Sequence, residues 1–315
     1  MGAKAGPAIP DLVITHALRQ EGRARENAMQ TLLLVLALAV LGALGLAASM
    51  PAGPTPAPAA RDGWRLVWSD EFDYTGLPDP KKWDYEEGFI RNNEAQYYTR
   101  ARKENARVEN GMLVIEGRKE KFPVPQAKSG GKGRQVADYT AASLITLNKA
   151  EWKFGRIEVR ATLPQGRGVW PAIWTLGSNI RQVSWPACGE IDIMEFVGHT
   201  PGFVHANVHF QKNGQHASSG NKLAVDKPWS GFHVYVMEWF PDRMDFYFDD
   251  QKYHTFPISQ ADDKGDNPFR KPQYLLVNLA LGGSWGGQID DSIFPQKFLV
   301  DYVRVYQRPE PPAGK

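Results

Sequence analysis

The chain has almost nothing with which to cross-link itself: 315 residues contain one cysteine, Cys188. A lone thiol excludes an intramolecular disulfide, so stability must come from a buried core, which about 250 residues can build. Charge of one sign is equally scarce. With 37 basic against 35 acidic residues the formal charge is +2, which removes the electrostatic reason to expect a polyanion and argues against a nucleic-acid partner. Long helical periodicity is absent, and from Arg61 onward neither a break in composition nor an internal repeat divides the chain.

One apolar run bears on a membrane, LLLVLALAVLGALGLAA at 32–48. It is longer than the ~7–15 residues of a secretory core and shorter than the ~20 of a membrane span. Either way, the domain beyond it is exported. Small residues and then PAGPTPAPAA (51–60) favour a signal peptide and an extended Pro/Ala linker. The expected organisation is a leader with signal peptide or membrane anchor over 1–50, the linker at 51–60, one catalytic domain over 61–308 and a tail at 309–315. The protein is expected to be secreted, the alternative being a membrane anchor with the domain outside.

What the domain does contain is strand signal and aromatic rings. FGRIEVRATLP (154–164) alternates Ile157, Val159 and Ala161 against Glu158 and Arg160. FHVYVMEWF, MDFYFDD and QKYHTF (232–256) read as consecutive strands, FLVDYVRVYQ (298–307) as another, and LLVNLAL (275–281) as a buried one. Many short strands between Gly- and Pro-bearing turns predict an all-β sandwich or jelly roll. The 10 Trp, 11 Tyr and 15 Phe can serve flat, neutral ligands as well as the core.

GEIDIMEF (189–196) places Glu190, Asp192 and Glu195 within six positions. On a helix Glu190 would face away from the other two; on a regular strand Glu190 and Asp192 share a face while Glu195 has the wrong parity. A β-bulge in the Ile193-Met194 region adds one residue and brings Glu195 to the same face. Two carboxyl groups across a glycosidic bond suffice for hydrolysis, one attacking the anomeric carbon at about 5–5.5 Å from the one that protonates the leaving oxygen. Repulsion in such a set raises at least one pKa and separates the roles. Trp170 and Trp174 in RGVWPAIWTLG share a strand face, with Pro171 predicting an edge or bulge. Trp185 lies just before the acids, and Trp285 sits in LGGSWGG. His205 and His209 share a face but are too few for a metal, so hydrogen bonding or packing is expected of them. Cys188 reads as a packing residue.

WPACGEIDIMEFVG (185–198) closely resembles the active-site strand of glycoside hydrolase family 16, in the bulged form of laminarinase-like endo-β-1,3-glucanases. WSDEFD (68–73), NNEAQYYT (92–99), YTAASLIT (139–146), KFGRIEVRATLPQGRGVWPAIWTLG (153–177), FHVYVMEW (232–239), LLVNLALGGSWGG (275–287) and FPQKFLVDYVRVYQ (294–307) resemble family segments in family order. The resemblance implies a concanavalin-like β-jelly-roll of two curved antiparallel sheets and retaining endo-hydrolysis of β-1,3-glucans such as laminarin, or of mixed-linkage β-1,3-1,4-glucans. It implies Glu190 as nucleophile, Glu195 as acid/base and Asp192 as the residue tuning the nucleophile. It assigns Trp170 and Trp174 to the cleft walls, Asn93 and Glu94 to its rim and His209 to a place beside the catalytic strand; Trp185 and Trp285 join them as substrate-binding candidates. No cofactor is required, but a structural calcium is a family feature for which Glu71, Gly111 and Asp301 are the candidates. The expected partner is a β-glucan polysaccharide met by a monomer. A glucan-binding module without catalysis, a transglycosylase and a galactanase are the alternatives on this scaffold. Ala206-Asn207 stands where Gly-Thr is frequent and Gly286 where Pro is, which bears on preference among glucans. The insert at 120–138 reads as a long loop over one cleft end or as a hairpin tip.

Overall fold

The computed structural model describes Gly2, residues 60–61, 63–125 and 133–309. The leader, most of the linker, the centre of the 120–138 insert and the end of the tail lie outside the described residues. Among the described residues helix is confined to single turns, such as Ile180–Val183.

Among the described residues eighteen strands, numbered along the chain, form two sheets. In spatial order the first holds β13 (Gln215–Ala224), β12 (Phe203–Lys212), β11 (Glu190–Glu195), β10 (Val169–Gly177), β17 (Gln273–Leu281), β8 (Ser143–Ile145) and β3 (Asp84–Tyr85). The second runs β16 (Gln251–Pro257), β15 (Arg243–Phe248), β14 (His233–Trp239), β9 (Gly155–Thr162), β18 (Gln296–Gln307), β6 (Met112–Pro123), β7 (Val136–Ala141) and β4 (Gln96–Tyr98). Off this path β2 (Trp64–Asp70) pairs with β18, β1 (Ala60–Arg61) with β2, and β5 (Ala106–Glu109) with β6. All pairings are antiparallel except that of β4 with β7. This is the jelly roll expected, and its strands begin at Ala60, inside the span read as linker.

The core lies between the sheets and obeys the period-two rule. On β17, Leu275, Val277, Leu279 and Leu281 point inward, which is why LLVNLAL reads as apolar and is buried throughout. Ile157, Val159 and Ala161 of β9 meet them from the second sheet's side of the core. Each such side chain, fully buried, contributes roughly 1.5–3 kcal/mol.

Pro171 corrects an expectation. It lies in β10, flanked by β11 and β17, not on an edge. Its carbonyl, accepting from Phe196 N at 3.3 Å, points to the side where β11 has already ended, and the missing N–H points the same way. The ladder to β11 therefore loses nothing. The insert at 120–138 takes the hairpin reading at its arms: β6 and β7 pair up to Pro123 and Val136.

Candidate active site

The outward face of the first sheet is built around β11, and the bulge is where parity requires it. Consecutive Ile173 and Trp174 of β10 oppose Met194 and Asp192, leaving Ile193 over. On the other flank the pairing passes from Asp192 with Asn207 to Glu195 with His205. Ile193 and Met194 both turn into the core, so Glu195 emerges on the same side as Glu190 and Asp192. Gly189 starts the strand from a left-handed φ of +76°, and a Cβ there would sit 2.7 Å from Pro268 Cβ.

The three carboxyl groups line one cavity of about 750 Å³ with Trp170, Trp174 and Trp185. Trp170 Nε1 donates to Glu195 Oε1 at 2.9 Å and Trp185 Nε1 to Glu190 Oε2 at 2.8 Å. Trp170 and Trp174 are 8% and 6% exposed, whereas Trp185 is 46% exposed, so the first two form walls and the third an open shelf. Trp285 packs edge-on to Trp170 with ring centroids 5.5 Å apart.

Burial pushes the Glu195 carboxyl well above the carboxylate range, and the negative charge of the Asp192–Glu190 pair adds to it. Burial and the Glu190 charge drive Asp192 well up too. Glu190 is also raised by burial, but the Trp185 N–H, Arg91 and a hydrogen bond from Asp192 oppose the rise, as would a protonated His209. Asp192, driven up further and donating to Glu190, is the member of this coupled pair that favours the proton. Cys188 is buried and its thiol pushed up to about 11, chiefly by desolvation, which fits a packing residue.

His209 lies beside the strand as expected, Nε2 3.3 Å from Asp192 Oδ2 and 4.0 Å from Glu190 Oε1. Those three residues are the one cluster of potential metal-ligating side chains among the described residues; its two acids are those read as nucleophile and tuning residue, so no metal is assigned to it. His205 instead packs edge-on to Trp285 at 5.0 Å, and burial lowers its pKa to about 4.

Glu94 is buried, accepting from Gln96 Nε2 at 2.7 Å, and it lines the cavity; Asn93 is exposed beside it and Asn92 takes the lining position. The LGGSWGG segment is held against this NNE turn by Ser284 N donating to Asn92 O at 2.8 Å. The calcium candidates do not fit a cation. Both carboxylates face guanidinium groups, Glu71 with Arg304 at 2.8 Å and Asp301 with Arg160 at 2.5 Å, while Gly111 occupies the β5–β6 turn with φ +72°.

Sequence reading missed a second set of lining residues. Arg91, ion-paired with Glu86, lies 4.8 Å over the Trp174 ring. Asn278 accepts from Trp174 Nε1 at 2.7 Å and donates to Tyr98 OH at 2.9 Å. Asn278 had a signal, as the single amide in the apolar run LLVNLAL, and Arg91 directly precedes the NNE motif; His216 and Tyr274 had none.

A jelly roll whose outer face brings three carboxyl groups side by side between indole walls defines a glycoside hydrolase. The sequence profile described as Glycosyl hydrolases family 16 matches residues 93–304. A beta-glucanase of Rhodothermus marinus is 47% identical over 78% of this chain and 85% of its own length. A glucan endo-1,3-beta-glucosidase A1 of Niallia circulans is 36% identical over 80% of this chain but only 39% of its own length. Among solved structures, the laminarinase from Rhodothermus marinus superposes with a TM-score of 0.69 at 46% identity, covering 78% of this chain and 98% of that one. The laminarinase catalytic domain from Thermotoga maritima gives 0.69 at 41% identity, covering 78% and 99%. The chain belongs to glycosyl hydrolases family 16.

Proposed function

We propose that the protein hydrolyses internal β-1,3-glucosidic bonds in β-1,3-glucans such as laminarin, and in mixed-linkage β-1,3-1,4-glucans, with retention of configuration. The observation that carries this reading is that a β-bulge brings two glutamates of one strand to the same cleft face, where burial drives Glu195 well up while the Trp185 N–H, Arg91 and a hydrogen bond from Asp192 restrain the rise at Glu190. Glu190, ionised, attacks the anomeric carbon to form a glycosyl-enzyme while Glu195 gives its proton to the departing glycosidic oxygen. Glu195, now a carboxylate, then takes a proton from water, which attacks the same carbon and frees Glu190. Asp192 holds the shared proton and donates to Glu190, which keeps the nucleophile charged. Trp170 keeps Glu195 directed along the cleft, and the exposed Trp185 ring offers a shelf for a sugar face.

The intact Glu190, Asp192 and Glu195 set argues against a purely binding module. Supported by the 32–48 apolar run, we place the domain outside the cytoplasm; cell fractionation with N-terminal sequencing tests this, and gel filtration tests the expected monomer. The function itself is tested by products from the 61–315 fragment on laminarin, mixed-linkage glucan, agarose and carrageenan. Short oligosaccharides from laminarin that disappear in Glu190→Gln are expected. Laminarin bound without cleavage of any polymer would overturn the reading, and release from agarose or carrageenan alone would reassign the substrate.

A further inference from the structure

His216 lies on β13, one strand beyond His209, and the established chemistry gives it no part. Its place is nonetheless fixed by two contacts. Its Nε2 is 2.8 Å from His209 Nδ1, and its ring packs on Trp185, centroids 4.8 Å apart, the residue that donates to Glu190. On the far side of His209, Asn207 Oδ1 accepts from Val208 N at 2.9 Å. That leaves the Asn207 amide nitrogen facing His209 Nε2, at 3.0 Å.

The hydrogen-bond network allows one neutral arrangement. Asn207 Nδ2 must donate, so His209 Nε2 accepts; the His209 proton then sits on Nδ1 and is donated to His216 Nε2. One consequence is visible at the catalytic strand. Asp192 Oδ2 is 3.3 Å from His209 Nε2, yet this buried oxygen has no hydrogen-bond partner. An Nε2–H would supply one. It would also stabilise Asp192 as a carboxylate and drive the shared proton onto Glu190, which silences the nucleophile.

We propose that His216 is a positioning residue that keeps His209 in its Nδ1–H form, so that Asp192 retains the shared proton and Glu190 stays charged. This rests on the reading of Glu190 as nucleophile. Burial first, and His209 next, lower the proton affinity of His216, which keeps its Nε2 an acceptor into the acid range. The titratable and charged groups facing this pair are Glu190 and Asp192 from β11, with Glu195 coupled to His209 and Arg91 acting on Glu190 from the turn before β4.

The test pairs His216→Phe, which keeps a ring against Trp185 but removes the acceptor, with His216→Gln, which restores an acceptor. Imidazole nitrogen NMR of the full chain is expected to show a pyridine-like His209 Nε2 in the wild type and its protonation in His216→Phe. On laminarin, His216→Phe should move the acid limb of kcat/KM upward by about one pH unit, a roughly tenfold loss at a pH below the limb, with kcat changed more than KM. His216→Gln should recover much of that shift. An unchanged His209 tautomer, or a loss of activity uniform across pH, would overturn the proposal. Because the tautomer is read without turnover, its failure is separable from that of the nucleophile assignment, which fails if Glu190→Gln still hydrolyses laminarin.

Discussion

The two ends of β11 carry the same side chain in opposite settings. Glu190 is raised by burial, but the Trp185 N–H, Arg91 and a hydrogen bond from Asp192 favour its carboxylate. Glu195, five residues on, is pushed well up by desolvation and by the acidic pair Asp192 and Glu190, and is opposed mainly by the Trp170 N–H. Two glutamates on one strand thereby become a base that attacks and an acid that donates. Chemistry of this kind is assigned by the neighbours of a residue, not by its type.

The largest effect should separate the two ends by the leaving group they serve. Glu195→Gln should lower turnover on laminarin by about 10²–10⁴-fold and recover on an aryl glycoside whose leaving group needs no proton. Glu190→Gln should recover on neither. Steady-state rates on the two substrates check this, and equal recovery at both positions would erase the distinction.

A smaller effect is expected from the residue between them. Asp192→Leu removes the shared proton and its hydrogen bond, and should reduce kcat by about 10²-fold with KM little changed. Asp192→Asn keeps a donor toward Glu190 and should fall much less; saturation kinetics on laminarin would show whether the order is as stated.

The smallest effects are shifts of the pH limbs, and the hydrogen bonds set their sign. An indole N–H favours the charged carboxylate, so its loss raises the pKa of the acid it served. Trp185→Phe should therefore move the acid limb, set by Glu190, to higher pH. Trp170→Phe should move the alkaline limb, set by Glu195, to higher pH as well. Each shift should be about one unit, read from kcat/KM profiles, and a single variant that moved both limbs would mean the two ends are not independent.

Most of the contrast between the two glutamates was legible in the sequence. The parity mismatch in EIDIME requires an inserted residue, and Ile193 is that residue. The alternation in FGRIEVRATLP and the apolar run LLVNLAL marked strands that proved to be β9 and β17. What stayed hidden is what depends on strands distant in sequence meeting side by side. His216 reaches the site only because β13 pairs with β12, and Arg91 only because its turn folds over Trp174. Asn93 was read as a rim residue from the resemblance alone; two successive positive-φ residues, Asn92 and Asn93, leave it exposed while Asn92 lines the cavity. Pro171 misled for a similar reason, since the end of β11 beside it is a property of the sheet.

The central claim is that Glu190 and Glu195 have distinct and fixed roles, and it is tested most directly by trapping the intermediate. The enzyme would be inactivated with a 2-deoxy-2-fluoro laminaribiosyl fluoride and the labelled peptide located by mass spectrometry. The account predicts one covalent sugar, attached to Glu190. A label on Glu195 would reverse the two ends of the strand and contradict it.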